Sequence, residues 1–329
     1  MLLNNTKPVD QTQAINKVPH KPNLIGGLGI FRDSNVGSDA VTFDVRDNSF
    51  HVLEDKLRNV ADKNTTNERP FDQHTLAIPH FPIEKTIGRE KLNGARAFDT
   101  EFEKTVANAV AEELVAQAES HDLHEEFVKA SMAVKGELVT NNYGTFNMLE
   151  EFGVQRPTQT LAAGNVIKGL REAQKKAKAG LHNGGMVRGY TLLATEDLFE
   201  AIVDSADAVK AYELGMQTLQ LQIGEIAGGY QVIQIGNTTV ILYDDTFTKH
   251  DGTTEQVLSE GGVLLPRTTL GRCYFGPEST FTGLARGGQK RFASSYRDPK
   301  DRWIEVSSEQ NTLPILEQFG ATVQIAMGA

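Results

Sequence analysis

The feature that most constrains the fold of this chain is a long stretch, Ala95 to Lys135, that contains neither glycine nor proline. A helix through most of this stretch would form a rod, because each helical residue adds about 1.5 Å along the axis. The chain has 329 residues, enough for two domains or for one domain with extended appendages. Because an enzyme core rarely needs so long a helix, the stretch favours a scaffolding protein.

The sequence predicts this helix over residues 98–135, ending at Gly136. Apolar residues recur at helical spacing in two stripes at shifted angles: Phe102, Val106, Ala109, Val110 and Leu114, then Leu123, Phe127, Ala130 and Val134. Ser120 lies between the stripes and could cap a second segment, so one bent helix and two helices both stay open. Nine acidic residues lie between Asp99 and Glu126 against the single Lys104, which predicts a strongly negative, solvated outer face.

Before the helix, two strand-like runs flank a largely polar segment, which predicts a long projecting hairpin over residues 36–87. The first run alternates apolar and polar residues, and Pro79 and Pro82 limit the second, residues 73–87, to an edge strand. A lone hairpin is marginal in water, so this one needs a partner. Its apolar side chains are candidates for contact with a neighbouring subunit: Val41, Phe43, Val45, Leu57, Leu76 and Ile78.

After Gly136 the pattern predicts a hairpin around Asn141–Gly144, a basic helix over 165–180 and a helix over 195–214. Strands and turns follow, with turns at Gly236-Asn237 and Asp251-Gly252 and a final strand in ATVQIAMGA. No internal repeat is visible, and the predicted fold class is α+β. The basic and acidic helices are candidates for charge contacts between subunits, through Glu112, Glu113, Lys168, Arg171, Lys175 and Lys176.

Composition narrows the functional classes. The formal charge of −10 argues against nucleic acid as a direct ligand. The single cysteine, Cys273, excludes an internal disulfide framework and the common zinc-finger patterns, and indicates folding in a cytoplasmic environment. No apolar run approaches the roughly 20 residues of a membrane helix. The polar N-terminus, residues 1–23, is either a loose tail or an arm that orders only against a neighbouring subunit.

Candidate chemical motifs are weak. GGLG at 26–29 lacks the preceding strand, the last glycine of the G-x-G-x-x-G spacing and the following helix of a dinucleotide fingerprint, so we expect a plain turn. His121, His124 and Glu125 have helical spacing but no third metal ligand placed by sequence, and we expect solvated side chains on an exposed face. Cys273 has no identifiable base, and adjacent carboxylates diverge on a helix. The sequence therefore predicts no catalytic site, cofactor or metal.

The order of elements resembles the major capsid protein of lambda-like tailed phages, the capsid protein E family. The likeness is most specific at the helix exit Ala133-Val134-Lys135-Gly136, at ASSYRDPKDRW (293–303) and at QNTLPILEQFGATVQIAMGA, which contains Pro314. Weaker matches run through LGIFRD (28–33) and GREKLNGARAF (88–98). The resemblance spans nearly the full chain as scattered short matches.

This resemblance implies the Hong Kong 97-type capsid fold: an N-terminal arm (1–35), an extended loop (36–87), a peripheral domain (88–164 and 266–329) with spine helix 98–135, and an axial domain (165–265). It implies a virion protein, assembled in the host cytoplasm, whose hexamers and pentamers close into an icosahedral shell around double-stranded DNA. It also implies a separate scaffold or protease, a portal protein and a decoration protein as partners. Lys56 and Lys63 lie in the loop tip, yet no asparagine and acid are placed near them, so no cross-link is predicted.

Two other functions stay open at the level of sequence. A nanocompartment (encapsulin-type) shell protein would share the fold but enclose cargo enzymes. A soluble nucleotide- or metal-dependent enzyme would use GGLG or the histidine pair.

Overall fold

The protein is described by a computed structural model that covers residues 8–19, 24–46, 71–88, 106–181, 187–206, 224–226, 229–281, 283, 286–300 and 302–328. For residues 44–46, 71, 72 and 224–226 it describes the backbone alone. Helices and largely antiparallel sheets are mixed along the chain, which confirms the α+β prediction.

The first sheet is built around β18 (Trp303–Ile315), a strand of 13 residues. β18 pairs antiparallel with β17 (Phe292–Arg297), β5 (His80–Gly88) and, through its last residues, β16 (Gly271–Phe275). β1 (Val9–Asp10) lies beyond β17, and β2 (Phe31–Asn35) lies parallel to β16. Among the described strands β5 pairs with β18 alone, so it is the edge strand that the prolines predicted.

The second sheet has seven strands and is covered by two helices, α5 (Val166–Ala179) and α6 (Glu196–Val203). Its strand order is β10 (Gly224–Ile226), β11 (Tyr230–Ile235), β12 (Thr238–Leu242), β9 (Tyr190–Ala194), β15 (Gly262–Pro266), β19 (Val323–Met327) and β8 (Thr158–Leu161). β9 and β15 are buried at every position, as central strands covered on both faces are. The helix predicted over 195–214 is shorter than expected, because α6 ends at Val203 with Asp204 as its C-cap. Residues 207–214 lie outside the described residues.

The predicted hairpin is present in its described part. β3 (Ala40–Arg46) pairs antiparallel with β4 (Phe71–Ala77), from Ala40 opposite Ala77 to Arg46 opposite Phe71. The ladder joins no other sheet in the described part of the chain. The second run divides at Pro79, because only β4 belongs to the hairpin and β5 joins the first sheet. The tip, residues 47–70, lies outside the description.

The long helix, α3 (Val106–Val134), is one helix of 29 residues that continues through Ser120. Residues 98–105 of the predicted range are not described. The helix ends at Gly136, as predicted, where the N–H of this residue donates to the Met132 carbonyl at 3.1 Å. Gly136 has φ +75°, and a Cβ there would lie 2.4 Å from the Phe319 ring. Glycine is therefore required both by the left-handed backbone and by the close approach of the ring.

Short elements follow the helix in the predicted order. β6 (Glu137–Thr140) and β7 (Gly144–Asn147) form the predicted hairpin, with Gly144 at φ +80°. Asn147 then caps α4 (Met148–Phe152), since its side chain accepts from the Leu149 N–H at 2.9 Å. The predicted turns at Gly236 and Gly252 also have left-handed glycines, and β13 (Thr246–Thr248) pairs with β14 (Thr254–Gln256) across the second.

The N-terminal arm packs on its own chain over residues 8–19, so neither a loose tail nor an arm ordered only by a neighbour describes it. β1 pairs with β17, and α1 (Thr12–Lys17) lies against α3 and β17. Ile15 is fully buried in a cluster with Leu114, Ala118 and Val306. This apolar slot between α3 and the first sheet orders the arm without a second subunit.

The second sheet crosses the predicted limits between peripheral and axial domains. β8 and β19 come from the predicted peripheral ranges, yet β19 pairs with β15 and β8 pairs with β19. The sheet thus unites residues on both sides of the limits at 165 and 265, and these limits stay predictions.

Candidate assembly surfaces

The residues predicted to contact a neighbour lie at the base of the hairpin, against the body of the same chain. Leu76 and Ile78 are 6% and 5% exposed, and Val41 packs on the same core. Phe43 makes edge-to-face contacts with Phe152 at 5.7 Å and Tyr274 at 5.5 Å. These side chains anchor the hairpin. Their contact with a neighbouring subunit stays a prediction, and the Val45 side chain and Leu57 lie outside the described residues.

The basic residues of α5 are exposed, as an amphipathic surface helix requires. Its inner face is apolar, and its outer face carries Lys168, Arg171, Lys175 and Lys176. The Lys176 Nζ donates to the Thr158 carbonyl at 2.6 Å, which ties the helix to β8. The outer face is therefore a concentrated positive surface.

The two acidic candidates on α3 differ in their surroundings. Glu112 is exposed. Glu113 lies 3.0 Å from the Lys85 ammonium of the same chain and accepts from Gln117. Glu112 is exposed whereas Glu113 is half-buried, so Glu112 is the more accessible of the two to a neighbouring subunit.

Much of the acidic side of α3 faces into the protein, and the prediction of a solvated outer face is wrong there. Asp122, Glu125 and Glu126 are 4%, 2% and 4% exposed. Leu123, predicted to face the core, is 50% exposed. Burial of a carboxylate requires a counter-charge or hydrogen-bond donors. Each of these three acids has such a partner.

Two of the acids pair with three cations, Lys129, Lys290 and Arg291. Arg291, 2% exposed, forms a salt bridge with Asp122. Glu125 lies 2.6 Å from the Lys129 ammonium and 3.0 Å from that of Lys290, and Gln310 donates to it at 3.2 Å. Burial alone would raise the pKa of Glu125, but the two ammonium groups outweigh it and the pKa is lowered.

The third acid, Glu126, forms hydrogen bonds with the segment that contains the first residue of GGLG. Glu126 accepts from the backbone N–H of Ile25 at 2.6 Å and from that of Gly26 at 3.0 Å. These N–H groups lie in α2 (Leu24–Gly27), so the turn binds an anion that belongs to its own chain. Burial raises the pKa of Glu126 to about 7, although both N–H bonds act in the opposite direction. The segment at GGLG thus makes an internal contact, and the N–H groups of Gly26 and of the preceding Ile25 are already occupied.

The histidine pair is not solvated, contrary to the prediction. His121 is 1% exposed and its Nε2 lies 2.9 Å from the Ser308 hydroxyl. The half-buried ring of His124 packs on Phe81, with ring centres 3.9 Å apart. Burial lowers the pKa of His121 to about 3 and that of His124 to about 4, so both rings are neutral near pH 7. Within the described ranges, no three potential metal ligands cluster together.

One group of side chains has the composition of a hydrolase triad but not its geometry. The Nδ1 of His80 lies 3.1 Å from the Ser279 hydroxyl, 2.8 Å from the Asn311 amide oxygen and 3.7 Å from Glu309. A triad needs the hydroxyl on one ring nitrogen and the acid on the other. Here all three contacts converge on one nitrogen, so the ring cannot relay a proton from Ser279.

Cys273 is fully buried, and burial raises the pKa of its thiol to about 12.

Sequence reasoning missed the buried charge network because its members are far apart along the chain. The signal available was Lys290-Arg291, two adjacent cations just before the strand at 292–297. The apolar stripes on α3 indicate a different inward face, although acids spaced three and four residues apart also mark one helical face.

The comparisons with known proteins point to one family. The family model of the phage major capsid protein E matches residues 7–327. This chain belongs to that family. The major capsid protein of Pseudomonas phage KPP10 is 23% identical to it over 334 residues, which cover 96% of this chain and 95% of the relative. The protein with the present sequence is therefore a capsid protein, a virion component that forms the icosahedral shell of a phage.

Solved structures support the fold of the capsid protein. A prophage protein from E. coli CFT073 superposes with a TM-score of 0.63 at 10% identity, covering 98% of this chain and 100% of that one. The mature capsid of bacteriophage PhiM1 gives 0.54 at 9% identity, covering 93% and 87%. The capsid of cyanophage P-SCSP1u gives 0.52 at 8% identity, covering 94% and 89%. These neighbours confirm the Hong Kong 97-type capsid fold. Among the described helices, none is long and apolar enough to span a membrane.

Proposed function

We propose that the capsid protein assembles as hexamers and pentamers around double-stranded DNA, and that its β3–β4 hairpin lies over an adjacent subunit. One observation carries the second part. The β3–β4 ladder is anchored at its base by Phe43, Leu76 and Ile78, yet pairs with no further strand in the described chain. An isolated two-stranded ribbon is marginal in water, so its outer part gains stability only when another surface covers it.

The net charge of the subunit supports a shell that does not bind the DNA that it encloses. Each subunit has a formal charge of −10, so a shell of many copies repels the phosphates of packaged DNA. Family membership favours this function over a cargo-enclosing nanocompartment. A scaffold or protease, a portal and a decoration protein are the further partners that we propose on the same basis. No observation favours the enzyme alternative.

The hairpin is tested by shortening it. Because Arg46 and Phe71 are opposite each other, deleting residues 47–70 and joining them through Asn-Gly leaves a two-residue turn on the existing ladder. We expect the shortened protein to fold, with an unchanged circular dichroism spectrum, but to form no closed shells by electron microscopy. A second variant replaces residues 47–70 by a Gly/Ser linker of the same length. It distinguishes the effect of lost side-chain contacts from the effect of a shorter hairpin. Closed shells from both variants would contradict the proposal.

The basic face of α5 is proposed to contact acidic α3 of a neighbouring subunit, with Glu112 as the acid. Exposed ion pairs are each worth about 0.2–1 kcal/mol and weaken with salt. Lys175→Glu with Lys176→Glu should therefore raise the protein concentration needed for assembly, most at low salt. Adding Glu112→Lys should restore part of the loss. Assembly that is unaffected by the double reversal, followed by light scattering at two salt concentrations, would count against this contact.

A further inference from the structure

A cavity of about 660 Å³ opens where four segments of the capsid protein meet. These are the base of the β3–β4 hairpin, the turn between β6 and β7, the segment after β16, and β18. Its walls combine apolar and acidic side chains, among them Asp39, Ile78, Tyr143, Pro277 and Glu278. The volume is within the range of binding pockets and ample for a large side chain.

Phe281 lies on the rim of this cavity and is 99% exposed, more than any other large hydrophobic residue in the described chain. Tyr143, across the rim, is 43% exposed. A scattered apolar residue on a surface is ordinary, but an aromatic ring fully in water beside an open, partly apolar cavity is a typical interface feature. The ring of Phe281 does not fill the cavity of its own chain.

Charged side chains near the two features are mostly paired within the chain. Lys290 and Arg291, which follow Phe281 in residues 279–291, pair with Glu125 and Asp122. Arg286, 39% exposed at its side chain, lies 2.8 Å from Asp10 and 3.8 Å from the Oε2 of Glu278. Asp39, also at the cavity, is exposed. The ring of Phe281 therefore matches the cavity mainly through apolar contact.

The occupant that fits these observations is a second copy of this chain. Subunits of charge −10 repel each other, so their contacts need apolar burial, which this site offers. Each subunit carries both the exposed ring and the open cavity, so the same contact can repeat from one subunit to the next. We propose that Phe281 of one subunit inserts into this cavity of the next, against its Ile78 and Tyr143. This rests on the shell-forming function.

Cross-linking of mixed subunits tests the contact directly. Phe281→Cys is placed in one preparation and Ala77→Cys, on the cavity wall, in another that also carries a mass tag. Co-assembled shells are oxidised with copper phenanthroline, quenched and separated without reductant. The native Cys273 is buried and gives little background. We expect a band containing both proteins, well above that from Phe281→Cys mixed with Leu123→Cys, whose position on α3 is exposed and does not line the cavity.

Assembly of simple variants gives an independent readout. Phe281→Ser should raise the concentration needed for shell formation at least about tenfold, whereas Phe281→Leu should stay near wild type. Thermal unfolding of the dissociated Phe281→Ser subunit should match wild type, because the side chain is exposed. Two results would overturn this inference while leaving the proposed function intact. One is normal assembly of Phe281→Ser under conditions in which the wild type forms shells. The other is cross-linking no stronger than that of the Leu123 control. If the wild type formed no shells, the proposed function itself would fail.

Discussion

Asp122 offers a direct test of the buried charges on α3. Asp122→Ala leaves the Arg291 guanidinium, 2% exposed, without its carboxylate. Loss of one partner from a buried ion pair costs about 3–5 kcal/mol, because the remaining charge stays desolvated. For a chain of 329 residues, at roughly 2 °C per kcal/mol, the melting temperature should fall by roughly 6–10 °C.

The assay is urea unfolding of dissociated subunits. The single tryptophan, Trp303, lies in β18 beside Tyr296 and reports on the first sheet by fluorescence, with circular dichroism as a second probe. Glu119→Ala is the matched control, because Glu119 is an exposed acid on the same helix and should change stability by less than about 0.5 kcal/mol. The double variant Asp122→Leu with Arg291→Met should recover most of the loss, since a buried pair can be replaced by apolar side chains.

The reasoning would be refuted by either of two results. One is an Asp122→Ala variant no less stable than Glu119→Ala. The other is a double variant as unstable as Asp122→Ala, which would mean that the cost does not come from an uncompensated charge on Arg291.

Two further predictions concern the same helix. Gly136→Ala should lower the free energy of unfolding in urea by at least about 1–2 kcal/mol, because alanine is disfavoured at φ +75° and its Cβ would contact Phe319. Gly27→Ala serves as the control, because the space around Gly27 is open. Equal effects of the two substitutions would contradict the packing argument. Glu126 has its pKa raised from 4.5 to about 7, so its contribution to stability is present below pH 4.5 and lost as pH rises through 7, about 3 kcal/mol in total. Unfolding midpoints between pH 5 and 8 should show this decline in the wild type and a flatter profile in Glu126→Gln; parallel profiles would exclude Glu126 as its source.

Local signals predicted the elements of this fold well. Gly136 ends the long helix, and Gly144 and Gly252 occupy turns, because each needs only its own backbone preference and its immediate neighbours. The basic helix at 166–179 was also predicted, since its apolar face recurs at helical spacing.

Contacts between distant segments were not predictable from one sequence. The arm docks through Ile15 into a slot made by α3 and β17, and the inward acids of α3 depend on Arg291, far along the chain. The exposure of Phe281 is not predictable either, because a phenylalanine in a Gly-rich segment has the same sequence signature whether it lies in a core or in water.

The position of β18 in the sequence has a consequence for synthesis. β1, β2 and β5 all come from the first 88 residues, yet their partners are β17, β16 and β18, which span residues 271–315. At about 5–20 residues per second, a ribosome needs on the order of ten seconds or more to make the chain between residues 88 and 315. The early strands wait unpaired during that time. A polypeptide released before residue 303 lacks β18, the central strand of the first sheet. Prematurely terminated products therefore cannot complete this sheet, and we expect them not to be incorporated into the shell.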